Sequence, residues 1–230
     1  MKDFVKFEAI IGITFQNPDL LKIALTHRSY LNEHPGWQKE HNERLEFLGD
    51  AVLELVVTEY LYKQFPEKPE GDLTSLRAAL VNAQMLGSLA SDLGFNDFVL
   101  LSRGEARDVG RARLAILANA FESVTGAIYL DQGYGAAWAF LEQALFPRLG
   151  DILDKKLYRD AKSLFQEEAQ ERVSITPTYE VAKEWGPDHD KHFVVGVYLG
   201  KDLVAQGEGP SKQVAQQQAA EAALIAKKWE

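Results

Sequence analysis

The sequence predicts an all-α domain over residues 1–147, a linker at 148–159, and a small α+β module of helix, three strands and helix (αβββα) over 160–230. Three observations predict it. From the start to about Phe146, apolar residues recur at spacings of three and four, the period of helices with one buried face. Within "HFVVGVYL" the period changes to two: Phe193, Val195, Val197 and Leu199 alternate with Val194, Gly196 and Tyr198, as on a strand with one buried side. Between the two textures lies "PRLGDILDKKLYRD", residues 147–160, which opens on Pro147, carries Gly150 and is rich in charge.

The elements follow in order. "PDLLKIAL", "LEFLGDAVLELVVTEYLY", "LTSLRAALVNAQMLGSLASDLG", "ARLAILANAFESVTGAIYL" and "YGAAWAFLEQALF" carry the helical spacing, and Pro18, Pro66, Gly94 and Gly133 stand where starts and stops belong. The charged stretch after Phe146 reads as a linker with room for one helical turn. Beyond it, "AKSLFQEEAQER" reads as a helix, "TYEVAKEW", "HFVVGVYL" and "DLVAQGEG" as strands, and "SKQVAQQQAAEAALIAKKW" as a closing helix with a glutamine-alanine run.

Composition sets bounds on function. With 230 residues, 46% of them hydrophobic and 10% aromatic, the chain can bury a substantial core, which excludes disordered and fibrous classes. The absence of cysteine excludes disulfides and thiolate metal sites and suits a reducing cytoplasm. The opening "MKDFVKFEAIIGITF" interleaves charged with apolar residues, unlike a signal peptide, and no run reaches transmembrane length, so no membrane partner is expected. A formal net charge of −9 disfavours blanket attraction to nucleic acid or anionic membrane and fits cation binding better.

The chemical question lies in "HNERLEFLGDAVLELVVTEYLYKQFP", residues 41–66, an apolar helix that carries Glu43, Glu46 and Asp50 near its start. Their spacings of three and four put all three carboxylates on one stripe, where like charges repel. A cap from Asn42 or a neighbour and the positive helix end account for Glu43, but Asp50 lies two turns inside, beyond the reach of the terminal dipole. In "LAILANAFESVTGAIYLDQG", Asn119 and Glu122 share a face three residues apart, while Ile116, Leu117, Ala120, Phe121, Val124 and Ile128 supply packing. Two readings stand side by side: solvated polar residues on amphipathic helices, or, if the two helices pack together, an all-oxygen cluster of Glu46, Asp50, Asn119 and Glu122 suited to Mg²⁺ or Mn²⁺. Zinc is a poor fit, because no cysteine takes part and His27, His34 and His41 are irregularly spaced, as loop or capping residues would be. Arg103, Arg107, Arg111 and Arg113 form a positive run that is either a solvated loop face or a place for backbone phosphates.

These residues carry a resemblance. "ERLEFLGDAVLELVVTEYL" is similar, nearly residue for residue, to the signature of the ribonuclease III family, and "LANAFESVTGAIYLDQGY" resembles its second acidic motif. "ALTHRSYLNE" at 24–33 and "PEGDLTSLRAALV" at 69–81 resemble two further blocks of that nuclease domain in the same order, and the tail from about Asp160 to Trp229 resembles a double-stranded RNA-binding domain. The resemblance implies a homodimeric nuclease that cuts both strands of double-stranded RNA, leaving 5′-phosphates and short 3′ overhangs, in rRNA and mRNA processing and decay. It places the metal site on Glu46, Asp50, Asn119 and Glu122, with Asp50 and Glu122 catalytic and Glu43 a secondary acid near the dimer interface and RNA. Carboxylates holding Mg²⁺ ions need no covalent nucleophile, and neither Ser75 nor Ser123 sits in a pattern that demands one.

Asn119 departs from that family's usual Asp: its amide oxygen can ligate a hard cation but adds no charge and cannot act as a base. The tail's RNA contacts, on this resemblance, are Gln166 and Glu167 on its first helix, Pro187 to His189 in the loop between the first two strands, and Ser211 and Lys212 at the start of its last helix, where the helix terminus favours phosphate. Gln213 and Gln216 stand where further basic residues are common, so modest affinity is expected. Three functions remain open: a Mg²⁺-dependent endoribonuclease, an RNA-binding protein whose cleavage Asn119 has crippled, and a helical interaction protein whose acids are surface residues.

Overall fold

The computed structural model describes residues 2–154, 161–187 and 191–229. Its contacts divide the chain into two units, with the boundary between residues 158 and 159.

The first unit is helical: α1 Phe4–Ile11, α2 Pro18–Ala24, α3 Arg28–Glu33, α4 Glu43–Gln64, α5 Glu70–Leu80, α6 Ala83–Asp92, α7 Arg111–Gln132, α8 Tyr134–Ala144 and α9 Arg148–Asp154. Local chemistry starts several of them. Asp3 caps α1 by accepting the Lys6 N–H, Asn17 caps α2 ahead of Pro18, and Asn82 accepts the Met85 N–H at 2.9 Å. The core forms where α4 meets α7, with Leu53, Val56, Val57 and Leu61 from one helix and Phe121, Val124 and Ile128 from the other, all buried. An isolated parallel bridge, Thr26 to Leu100, ties the junction of α2 and α3 to the loop that follows α6. Among the described residues no helix is long and apolar enough to cross a membrane.

The expected linker at 148–159 is corrected in its first half. Residues 148–154 are helix α9, and Leu149 and Ile152, three apart on one face, are buried in the core of the first unit. The charge of this stretch lies on the other side of an amphipathic helix, so its composition resembles a linker while its spacing does not. Residues 155–159 lie outside the described residues.

The second unit consists of α10 Ala161–Val173, β1 Thr178–Trp185, β2 His192–Leu199, β3 Asp202–Gly209 and α11 Lys212–Lys227. The three expected strands form one antiparallel sheet in the order β1-β2-β3, with Tyr179 opposite Val197 and Val195 opposite Gly207. The inward side chains Val195 and Val197 are fully buried, as the period of two requires. The glutamine-alanine run finds its reason here. Ala215, Ala219, Ala220 and Ala223 are the buried face of α11, small enough to let the helix lie close on the sheet, and the glutamines at 213, 216, 217 and 218 fall outside that face.

Candidate metal centre

Helices α4 and α7 cross at Gly49 and Gly126. A methyl group on Gly49 would overlap the Glu122 carbonyl, and one on Gly126 would overlap the Leu45 carbonyl, so the two backbones touch where only glycine fits. This contact fixes what the acids can do. Glu46 and Asp50 flank Gly49 on α4, and Asn119 and Glu122 lie two turns and one turn before Gly126 on α7. Ser123, fully buried between the helices, locks the crossing further: its hydroxyl donates to the Asn119 carbonyl at 2.7 Å and reaches the Asn42 carbonyl at 3.3 Å. That geometry spends Ser123 on the backbone, as Ser75 is spent on the Gly71 carbonyl, and neither is set up as a nucleophile.

The electrostatics follow the crossing. Burial, then the neighbouring Asp50 and Glu46 carboxylates, push the Glu122 pKa up to about 7. Burial also raises Glu46, with Glu43 and Asp50 adding to it, while hydrogen bonding from the Asn119 side chain pulls the other way. Glu46, Asp50, Asn119 and Glu122 therefore act on one another across the two helices. Among the described residues none of Glu46, Asp50 and Glu122 is in an ion pair, and no three His, Asp or Glu side chains converge closely enough to chelate an ion as they stand. The donor set of three carboxylates and an amide oxygen, with a carboxyl whose charge is unfavourable in the absence of positive charge, fits a hard divalent cation.

Glu43 stands apart from that group. It is exposed in the first turn of α4, where its Oε1 accepts from Arg28 Nη1 at 3.3 Å and its Oε2 lies 3.8 Å from His41 Nδ1. Asn42 occupies the cap position but makes no side-chain cap hydrogen bond. Its backbone is tied instead: the N–H donates to the Thr26 carbonyl and the carbonyl accepts from Glu46 N–H. The histidines are loop and cap residues. His27 caps α3 by accepting the Ser29 N–H, His34 ends that helix, and burial lowers His27, with Arg28 and His41 adding to the shift against Glu105 and Glu43.

The arginine run divides. Arg103, Arg107 and Arg111 are exposed, whereas Arg113 turns inward and donates through Nε to the Asn96 side chain at 2.8 Å. A helical start at Arg111 rotates Arg113 toward the packed side, which the spacing of the arginines alone does not reveal.

In the second unit Gln166 and Glu167 are adjacent and exposed on α10, Pro187 is exposed beyond β1, and Ser211 caps α11 by accepting the Val214 N–H at 3.3 Å with Lys212 exposed beside it. The Lys212 ammonium lies 5.6 Å from the centre of the Phe193 ring. His189 lies outside the described residues.

Sequence reading named Glu46, Asp50, Asn119 and Glu122 but missed the two glycines at which their helices touch. The signal was present: Gly49 sits between Glu46 and Asp50, and Gly126 four residues after Glu122, each a small residue embedded in a bulky apolar run. It missed Arg28 as well, because the arginine lies fifteen residues from its acid.

Comparison with known proteins covers both units. A family profile described as Ribonuclease-III-like matches residues 17–149, and one described as double-stranded RNA binding motif matches 161–226. Ribonuclease 3 of Enterococcus faecalis is 46% identical over 213 residues, 93% of this chain and 92% of that protein. Ribonuclease 3 of Geobacillus kaustophilus is 47% identical over 221 residues, covering 96% and 89%. Among solved structures, the nuclease domain of ribonuclease III from Campylobacter jejuni, described for flexibility in a region involved in dimer formation, superposes with a TM-score of 0.57 at 40% identity, covering 63% of this chain and 99% of that one.

Proposed function

The chain belongs to the ribonuclease III family, and from that premise we propose that it is an endoribonuclease that hydrolyses phosphodiester bonds of double-stranded RNA as a homodimer with Mg²⁺, Mn²⁺ being a substitute ion. The products are 5′-phosphates with short 3′ overhangs, and the setting is RNA processing and decay in the cytoplasm. The observation that carries the reading is the contact of α4 and α7 at Gly49 and Gly126, beside which Glu46, Asp50, Asn119 and Glu122 act on one another with no Lys or Arg paired to the three acids among the described residues.

In this reading Glu46, Asp50, Glu122 and the Asn119 amide oxygen hold the ion. When bound, it supplies positive charge that lowers the pKa of a water and stabilises the leaving 3′ oxygen. The chain's own contributions differ by depth. Glu122 and Glu46, half-buried between the helices, gain most from positive charge because burial disfavours their ionised forms. Asp50, exposed on the same stripe, is the acid that solvent and an incoming phosphate can reach. Asn119 stabilises the charged form of Glu46 while adding no charge of its own.

The homodimer reading rests on a stripe of α4. Phe47, Ala51, Leu55, Thr58 and Tyr62 follow one another at helical spacing on its open face, and Phe47, Leu55 and Tyr62 are 82%, 57% and 72% exposed. Large apolar side chains this exposed in a row fit a surface covered by a second copy. Duplex binding is assigned to the second unit through Gln166, Glu167, Pro187, His189, Ser211 and Lys212.

Cleavage of a long RNA duplex with Mg²⁺, with Mn²⁺ and with chelator tests the proposal. Metal-dependent cutting supports it. A chain that binds the duplex but stays silent in both ions supports the rival in which Asn119, neutral where its relatives' motif is acidic, has crippled the site.

A further inference from the structure

Glu43 has two cationic or donor neighbours, and they are not equivalent. The Arg28 side chain is 71% exposed and its pair with Glu43 is single and open to solvent, a kind of ion pair that is marginal and easily screened. His41 offers the opposite: its Nδ1 is buried and has no hydrogen-bond partner among the described residues, a costly condition for a polar atom. At 3.8 Å from Glu43 Oε2 it falls just short of a hydrogen bond. A shift of the Glu43 carboxylate by somewhat less than about 1 Å toward His41 would satisfy that nitrogen through Oε2 and keep Glu43 partnered when a phosphate displaces the guanidinium from Oε1.

We propose that Arg28 is a phosphate-binding residue for double-stranded RNA, parked on Glu43 in the free protein and released to the RNA backbone when Glu43 turns to His41. This rests on the reading of the chain as a duplex RNA nuclease. A polyanion approaching Glu46, Asp50 and Glu122 meets repulsion, and a cation beside them is needed to offset it. The other cations on and around α4 are committed elsewhere: Arg77 to Glu54 and Thr58, Lys63 to Glu59, Lys22 and Lys39 to Asp19. Arg28 also continues the exposed arginines of the loop after α6 toward the acids. Its neighbour Ser29 accepts the Ser102 N–H at 3.1 Å, and Glu33 at the other end of α3 accepts the Arg103 N–H, so α3 is stitched to the segment that carries Arg103 and Arg107. A guanidinium suits the role, since its fork matches two phosphate oxygens at once.

The test compares the native full chain with Arg28→Ala, Arg28→Lys, Glu43→Gln and Arg44→Ala. Arg44 is a control, an exposed arginine one residue from Glu43 that pairs with Glu40, so its loss changes the net charge equally. Binding of a short blunt RNA duplex is measured over a series of salt concentrations in chelator, and cleavage of the same duplex in Mg²⁺. Arg28→Ala is expected to bind about three- to tenfold more weakly at low salt, with a slope of log affinity against log salt shallower by about 1. Arg28→Lys keeps the native slope, Arg44→Ala keeps it too, and Glu43→Gln, which frees Arg28, binds more tightly than the native chain. An Arg28→Ala protein with the native slope, or an Arg44→Ala protein that matches Arg28→Ala, overturns the proposal, and so does a Glu43→Gln protein that binds more weakly. A native chain that neither binds nor cuts the duplex removes the nuclease reading and this proposal with it, a result distinct from a functional nuclease indifferent to Arg28.

Discussion

Replacing Glu122 by Gln keeps the shape of the side chain and removes the charge, so the change separates what the carboxylate does for stability from what it does for chemistry. The Glu122 pKa rises from 4.5 to about 7 in the folded chain, and at about 1.4 kcal/mol per pH unit a fully dry group would cost about 3 kcal/mol when ionised. Glu122 is only partly buried, and solvent screening brings this to about 1–2 kcal/mol. The sign follows from the direction of the shift. Below pH 4.5 both states hold the proton and the carboxyl costs nothing; as pH rises from 4.5 to about 7 the unfolded chain ionises first, stability falls, and above 7 the whole penalty is present.

Glu122→Gln escapes that penalty. In chelator it should therefore match the native chain near pH 4.5 and melt higher above pH 7, by about 3–6 °C for the transition of the first unit. Mg²⁺ should raise the melting temperature of the native chain and barely move the variant. Cleavage of duplex RNA should be lost while binding persists. Thermal unfolding followed by circular dichroism across pH, with and without Mg²⁺, reads all of this. A variant that is less stable at every pH, or one that cuts at the native rate, would refute the reasoning.

Three further outcomes are expected. Gly49→Ala drives a methyl into the Glu122 carbonyl, so it should cost about 1–3 kcal/mol and, by spreading α4 from α7, should blunt stabilisation by Mg²⁺ in the same melting experiment. A fragment ending at Asp154 should fold, sediment as a dimer and keep weak cleavage at low salt, whereas one ending at Phe146 loses buried Leu149 and Ile152 and should be about 3–5 kcal/mol less stable in urea unfolding. Asn119→Asp adds a fourth carboxylate, so it should lower the Mg²⁺ midpoint for cleavage about tenfold, roughly 1.4 kcal/mol, and make the metal-free protein slightly less stable; equal midpoints in a Mg²⁺ titration of initial rates would contradict this.

The elements were legible because their periods were clean. The strands of the second unit fall on "TYEVAKEW", "HFVVGVYL" and "DLVAQGEG", the middle one as its alternation places it, and the long helices α4 and α7 contain the expected runs and extend one or two residues beyond them. Helix α9 was illegible as composition and legible as spacing: seven of the residues 147–160 are charged, and Leu149 and Ile152 are the ones fully turned inward. Asn42 misled in a different way. Its position before Glu43 is that of a cap, yet tertiary packing buries it to 2% exposure and uses its backbone instead of its side chain. Propensity at a helix start is a local preference, and a long-range hydrogen bond to Thr26 overrides it.

The three acids of α4 were one puzzle in the sequence and are three cases in the structure. Glu43 is balanced by Arg28, which no helical spacing could announce because the arginine lies outside the helix. Asp50 is exposed, and water answers much of its charge. Glu46, drawn half inside and acting on Glu122 across a glycine contact, has an amide neighbour in Asn119 but no cation paired to it among the described residues. On the metal site proposed above, the close approach of α4 and α7 is what a divalent cation would relieve: a wider crossing would solvate the acids and weaken their need for it. Asn119 limits the imbalance, since an amide at that position stabilises Glu46 without adding a fourth negative charge to a partly dry site. In the proposed site an amide there would trade some attraction for the ion for less repulsion among the acids when no ion is bound.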